Sequence, residues 1–542
     1  MYKKIVGLIG ISCALLAMVA CKPGSPQEKD TYKAQGAAAA LSESEYNRLT
    51  PLQQYQVSNR LMAAFFKGVP AQEFFDASTI SDSEADLRLS DNGADYITKI
   101  KEKLTFNLEN RRSYYTKVVG DAENPGRYEF SNEERVPMEY PLAYLYELPL
   151  SDEFYARWIA YKLMNTILFS PAEEIDSAFP EDADIMFEAL AEGILNQVPI
   201  RTLIYQHEIS QTNWRRFRSP EDNTREMIEI YLGLFDRDED VPKASIACKN
   251  WYLTDEDLGY ELKNPQANNN TEPQLVLDNY WVTTCEDFMQ AVANHPLVIP
   301  RIATVLTDHM LDVNYDPDKK AKFIASVAGA HPTTFTEMFN AILFSKEFLM
   351  NMERPKYFEE SFFNIAGRIY WTPYSRFFRE LAQASAGGMD LGTNLFVMNQ
   401  PTLSLKLGRW PTVPLDSLGF SYYHKGIREV ALLKRKSNYD NPASTNYYGW
   451  DTRFVDSGVD YLQEDAFINY IFISVAGRYA TQTELDEINN IISTAKNDAG
   501  DPLFNTTSTN LNTIVGTRRN IAMLTMDYIS RVADTYFYNA VN

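Results

Sequence analysis

The chain has 542 residues, 45% of them hydrophobic and 23% charged, and a formal net charge of −22 from 51 Lys+Arg against 73 Asp+Glu. This is globular composition, which excludes disorder, collagen and coiled coil, and the length allows roughly two to four domains. The acidic balance argues against nonspecific nucleic-acid binding and against a polybasic membrane patch, both of which need clustered cations.

Lys3 and Lys4 precede an apolar run from Ile5 to Ala20, too short to favour a spanning helix. The phrase Leu16-Ala17-Met18-Val19-Ala20-Cys21 resembles a bacterial lipoprotein signal. That resemblance implies that residues 1–20 are a signal peptide and that Cys21 carries acyl chains such as palmitate. Several chains would tie the protein to a membrane without a spanning segment. Lys22, where an aspartate would signal retention, implies the outer membrane, on the periplasmic side or at the cell surface. Residues 21–42 hold the lipidated cysteine and a tether rich in Pro, Gly, Ser, Gln, Lys and Ala.

Helical spacing dominates the rest, so the expected fold is mainly α: a multi-helix globular body with long irregular loops and at most a few short strands. An N-terminal helical region covers 43–151, with a helix over 45–66. A helical core covers 152–414. Its helices are expected at 154–168, 185–195, 202–209, 288–311 with breaks at Pro296 and Pro300, 320–327, 335–350, 358–369 and 375–385. Residues 253–279 read as a long loop, and short strands are expected near 396–407. An aromatic-rich loop region covers 415–460, with 437–458 rich in Asn, Asp, Ser and Tyr. A C-terminal helical region covers 461–542, with helices at 467–475, 484–495 and 515–538.

The sharpest local signal lies mid-chain. Ser219 can cap a helix, Pro220 suits its first position, and Glu221 and Asp222 favour its positive end. Met227, Ile230, Tyr231 and Leu234 form an apolar stripe, and Gly233 fits the stop. Glu221, Arg225 and Glu229 share one face at i, i+4, i+8. Asp240-Val241 then opens a second helix that runs to Trp251. Arg225, Glu226 and Glu229, followed by Asp240-Val241, Ala244, Ala247 and Trp251, resemble the two-helix hallmark of the bacterial family called domain of unknown function 1800. Departures are Asp222, Thr224, Cys248 and Lys249-Asn250. Met398-Asn399-Gln400-Pro401 and Trp410-Pro411 resemble later phrases of that family. The resemblance covers about 152–414, is firm over about thirty residues, and implies a helical exported protein with no agreed activity.

Several clusters carry two readings. Arg225, Glu226, Glu229 and Trp251 form either a site or a structural ion-pair network with a core tryptophan. Arg215, Arg216 and Arg218, just before the capped helix, could hold an anion or be neutralised by nearby acids. Tyr447, Tyr448 and Trp450 could form a glycan-stacking platform or pack beneath a loop. Cys248 and Cys285 are either bridged, which export permits, or two buried thiols. Thr481 and Glu484 read as a capping box. Asp312–Asp318 resembles the start of a calcium loop, but Pro317 and Phe323 stand where glycine and glutamate are needed. The five histidines lack metal-ligand spacing, and no phosphate loop, nucleotide fingerprint or nucleophile elbow occurs, so no metal, cofactor or catalytic residue is assigned. The leading expectation is a lipid-anchored envelope protein that binds or assembles with an envelope protein or glycan. The alternatives are an envelope hydrolase of polysaccharide or peptide, and a glycan-capturing lipoprotein of the starch-utilisation type.

Overall fold

A computed structural model describes residues 36–106, 139–168, 181–255, 260–312, 315–382, 424–433, 449–456 and 458–541. Local capping sets where the helices begin. Helix α1, Pro51–Ala64, starts at a capping box in which Thr50 and Gln53 satisfy each other's backbone. The expected helix over 45–66 is therefore two pieces, Glu43–Tyr46 and α1. Pro51 cannot continue a preceding turn but fits a first one. After two short helices, Ala71–Phe74 and Tyr96–Lys103, come α2, Glu139–Glu147, α3, Asp152–Met164, and α4, Glu181–Leu195. They are followed by α5, Ile200–Glu208, and α6, Gln211–Phe217.

Helix α7, Pro220–Glu226, is capped by Ser219, whose Oγ accepts from the Asp222 amide at 3.1 Å. It continues as a π-helical turn over Met227–Tyr231 and stops at Gly233, which has φ +70°. Helix α8, Val241–Ala247, follows. The expected loop over 253–279 instead contains two pairings. Strand β1, Tyr252–Leu253, pairs with β2, Leu262–Lys263, and β3, Gln274–Val276, pairs with β4, Tyr280–Val282. The β3–β4 turn needs positive φ at Leu277 and Asp278, residues that carry no glycine signal. Tertiary contacts hold it. The Leu277 amide donates to Asp240 at 3.1 Å, and Arg237 grips Asp278 with both terminal nitrogens.

Helices α9, Cys285–Asn294, and α10, Val298–Leu311, divide at Pro296, while Pro300 sits harmlessly in the first turn of α10. Helix α11 is Pro317–Gly329, with Asp316 as its cap. Helix α12, Phe335–Leu343, ends before the expected 350 and gives way to a π turn over Glu347–Asn351. Strand β5, Arg354–Pro355, leads into α13, Phe358–Arg368, and a short helix over Phe377–Ala382. Near the C-terminus are α14, Glu464–Ala476, α15, Gln482–Thr494, and α16, Leu511–Ile529. The helix expected to reach 538 stops at Ile529, because Phe537–Tyr538 is strand β6, paired antiparallel with β5. Thr481 and Glu484 form the expected capping box of α15.

The chain is thus mainly α, with small two-stranded pairs. Its described core packs α1 against α13, α3 along α4, and α14 against α13 and α16. Trp158 of α3 is fully buried, stands edge-on to Phe65 and Phe339, and donates its indole N–H to the Ala64 carbonyl. Residues Lys33–Asn542 form one compact unit. The changes of sequence character at 151 and 461 are therefore not boundaries between separate bodies. The signal peptide, Cys21, the strands expected near 396–407, the phrases at 398–401 and 410–411, and Tyr447 and Tyr448 lie outside the described residues. Among the described residues, no helix is long and apolar enough to cross a membrane.

Candidate functional site

Helices α4, α5 and α6 enclose a cleft of about 240 Å³. Ile185, Met186, Ala189 and Leu190 line it from one face of α4, at the spacing that places residues one turn apart on the same side. Leu203, Gln206 and His207 face it from α5, and Gln211, Thr212 and Arg215 from α6. Gly193 lets the two helices approach beside it, since a Cβ there would lie 2.4 Å from Leu203 Cδ1. A concave, largely apolar surface with a few polar groups at its margin is the usual form of a small-molecule site.

The polar margin is built from structural contacts. Arg215 donates to Asp182 at 2.8 Å, and its Nε reaches the Tyr260 carbonyl at 3.3 Å. The pair is well covered, with side chains 15% and 2% exposed. Ser210 caps α6, and its hydroxyl donates to the His207 carbonyl at 2.7 Å. That hydroxyl is thereby turned to the backbone and not aligned on the imidazole as a nucleophile would be. Next to His207, Glu208 is fully buried outside the cleft lining. Burial pushes its carboxyl well above the usual range.

Of the three arginines before the capped helix, Arg215 alone lines the cleft. Arg216 lies over the ring of Phe217, and Arg218 over that of Tyr260 at 5.6 Å. They stand at the C-terminal end of α6, where cations meet the negative end of the helix dipole. Asp222 already occupies the start of α7.

The charged phrase of α7 is a surface network. Arg225 reaches Asp238 at 2.7 Å, Glu221 at 3.4 Å and Glu229 at 4.0 Å, tying α7 to the turn before α8. Glu226 is half-buried on the same helix. Trp251 is buried and packs on Trp214 with ring centroids 5.1 Å apart. Cys248 and Cys285 form a disulfide across a separation of 37 residues, joining the end of α8 to the start of α9. Asp240 and Asp316 serve the hairpin tip and the start of α11. Among the described residues, no group of three or more His, Cys, Asp or Glu is placed to hold a metal ion.

Of the two readings of the aromatic cluster, Trp450 takes the packed one. Trp450 is fully buried, and its indole N–H donates to the Leu432 carbonyl at 3.0 Å. Buried and set edge-to-face with Phe454 at a centroid distance of 6.0 Å, it offers no exposed surface for a sugar.

No protein-family model, curated protein or solved structure matches this chain.

The cleft was not legible from the sequence. The stripe on α4 reads equally as core, His207 as a lone histidine, and the partner of Asp182 lies 33 residues away. The one usable signal was the excess of arginine beside Trp214.

Proposed function

We propose that this is an exported binding protein of a bacterial envelope, held to the outer membrane by acyl chains on Cys21. Its cleft between α4, α5 and α6 takes an amphipathic ligand. An apolar portion of the ligand lies along Ile185, Met186, Leu190 and Leu203, and a polar end meets Gln206, Gln211 and Arg215. The observation that carries this reading is the make-up of the cleft: an apolar wall with a few polar groups at its margin, among which Arg215 is tied to Asp182 and the Ser210 hydroxyl to a backbone carbonyl. Such a site favours holding a molecule over transforming it. The lipoprotein-type signal and the resemblance to the helical family of unknown function support the same placement.

The test uses the mature chain with Cys21→Ser, which removes the acyl chains, and the probe 1-anilinonaphthalene-8-sulfonate. Saturable fluorescence enhancement is expected. Ile185 is 53% exposed at the cleft, so Ile185→Glu, which also repels the probe's sulfonate, should leave the melting temperature unchanged and weaken the probe at least fivefold. Identical titrations for the two proteins would sink the assignment.

A further inference from the structure

A second cavity, of about 110 Å³, lies beside the β5–β6 pair, where α1, α13 and the end of α14 meet the last residues of the chain. At roughly 10–15 Å³ per enclosed water, it has room for a small solute and its water. In a chain of charge −22 its lining is unusual. Arg60, Lys356, Arg368 and Arg478 face it, against the single carboxylate of Asp534.

Of the acids nearby, Glu353 acts on Arg60 only through space and accepts from the Ala540 amide at 3.4 Å, while the others are held in ion pairs. Arg478 takes Asp534 at 2.9 Å and Glu484 at 2.8 Å. Arg354, behind the cavity, is held by both oxygens of Glu360 at 2.8 and 2.9 Å. Arg60 and Arg368, 4% and 6% exposed, have only neutral oxygens as hydrogen-bond partners. Arg60 donates to the carbonyls of Phe348 and Asn539. Arg368 donates to Asn59 Oδ1 at 3.1 Å and to the carbonyls of Val475 at 3.2 Å and Ser474 at 3.5 Å. Lys356 adds a third cation, with its ammonium on the Asp534 carbonyl at 2.8 Å. Burying guanidiniums without a counter-charge is costly.

An independent observation points the same way. Tyr538 lines the cavity, is 5% exposed, and has a buried hydroxyl with no hydrogen-bond partner. Its ring lies 5.5 Å from the Arg60 guanidinium, 5.0 Å from that of Arg354 and 5.4 Å from the Lys356 ammonium. A buried hydroxyl that makes no bond calls for a partner.

We infer that this cavity binds a tetrahedral oxyanion, phosphate or sulfate, held by Arg60, Lys356 and Arg368 and receiving a hydrogen bond from the Tyr538 hydroxyl. Charge-assisted bonds from guanidinium and ammonium to such an anion are the strong kind. The anion would supply the missing counter-charge and stabilise the junction of the C-terminal strand with α1 and α13. The cavity is separate from the cleft of α4–α6, so its assignment does not depend on the function proposed for that cleft.

The test is thermal unfolding and isothermal titration of the full chain in detergent at pH 6.5, with sodium phosphate, sodium sulfate or glycerol 3-phosphate against sodium chloride at equal ionic strength. A saturable rise in melting temperature with phosphate or sulfate, absent with chloride, is expected by linkage. Tyr538→Phe removes only the hydroxyl. It should melt no lower than wild type without added anion, yet bind phosphate at least threefold more weakly. Lys356→Met should weaken binding at least tenfold. Binding of glycerol 3-phosphate as well would extend the site to phosphomonoesters, and binding of the inorganic ions alone would restrict it to free anions. No anion-specific shift in wild type, or equal affinity in wild type and both variants, would overturn the inference.

Discussion

Lys356 shows how a single side chain carries the electrostatics of its surroundings. Burial, then the guanidiniums of Arg368 and Arg60, pull its ammonium from 10.5 down to about 7, against the opposing pull of Asp534 and Glu360. The folded value lies below the unfolded one, so the unfolded chain binds the extra proton between about pH 7 and pH 10. The penalty of the charged lysine is full below pH 7 and fades as pH rises through that window. Wild type should therefore gain stability relative to Lys356→Met between pH 6 and pH 9 in phosphate-free buffer, which urea unfolding at the two pH values measures. Lys67 is lowered to about 7 by its own burial and contributes equally to both proteins. Nothing adjacent to Lys356 in sequence announces this. Trp450 teaches the converse lesson, since its aromatic, Asn-rich surroundings suit a sugar platform as well as a packed loop, and only burial separates the two.

Among the elements, the helix start at Thr481 was legible, because its capping box with Glu484 needs residues only three apart. Thr50 with Gln53 and Thr284 with Asp287 close the same box, but apolar spacing alone placed those two helix starts at 45 and 288. Ends and crossings were less legible. At the C-terminal end of α13, Gly367 meets the loop after α1 so closely that a Cβ would lie 2.4 Å from the Gly68 nitrogen. Alanine in a helix is intrinsically better than glycine by about 1 kcal/mol. Overpacking against rigid backbone costs about 1–3 kcal/mol or more, and so sets the sign. With three backbone atoms of Gly68 within 3.1 Å the cost sits at the upper end, so Gly367→Ala should lower the unfolding free energy by about 2 kcal/mol, that cost less the propensity gain. An unchanged chemical-denaturation midpoint would show that the α1–α13 crossing relaxes freely. The β3–β4 hairpin was missed for a related reason. Its turn has Leu277 and Asp278 at positive φ where a sequence reading looks for glycine or asparagine, and Asp240 and Arg237 hold it from another element.

For the molecule as a whole, the proposed anchor and the body call on different physics. Among the described residues no helix is long and apolar enough to cross a membrane, and the proposed attachment is through acyl chains at Cys21. Cys21→Ser should move the protein from the membrane fraction to the soluble fraction and abolish incorporation of labelled palmitate. Retention of Cys21→Ser in the membrane would refute the anchor. The body is one unit in which distant segments hold one another: β5 pairs with β6, and Arg60 reaches a carbonyl 479 residues away. The mainly α class, the break at Pro296 and the capped start of α7 were readable in the chain, because each depends on neighbours within a turn or two. The Arg215–Asp182 pair, the burial of Trp450, the left-handed turn at Leu277 and the cation-lined cavity at Tyr538 were not. Each is made of residues that the chain keeps far apart, so their charge, solvation and partners exist only once packing has brought them together.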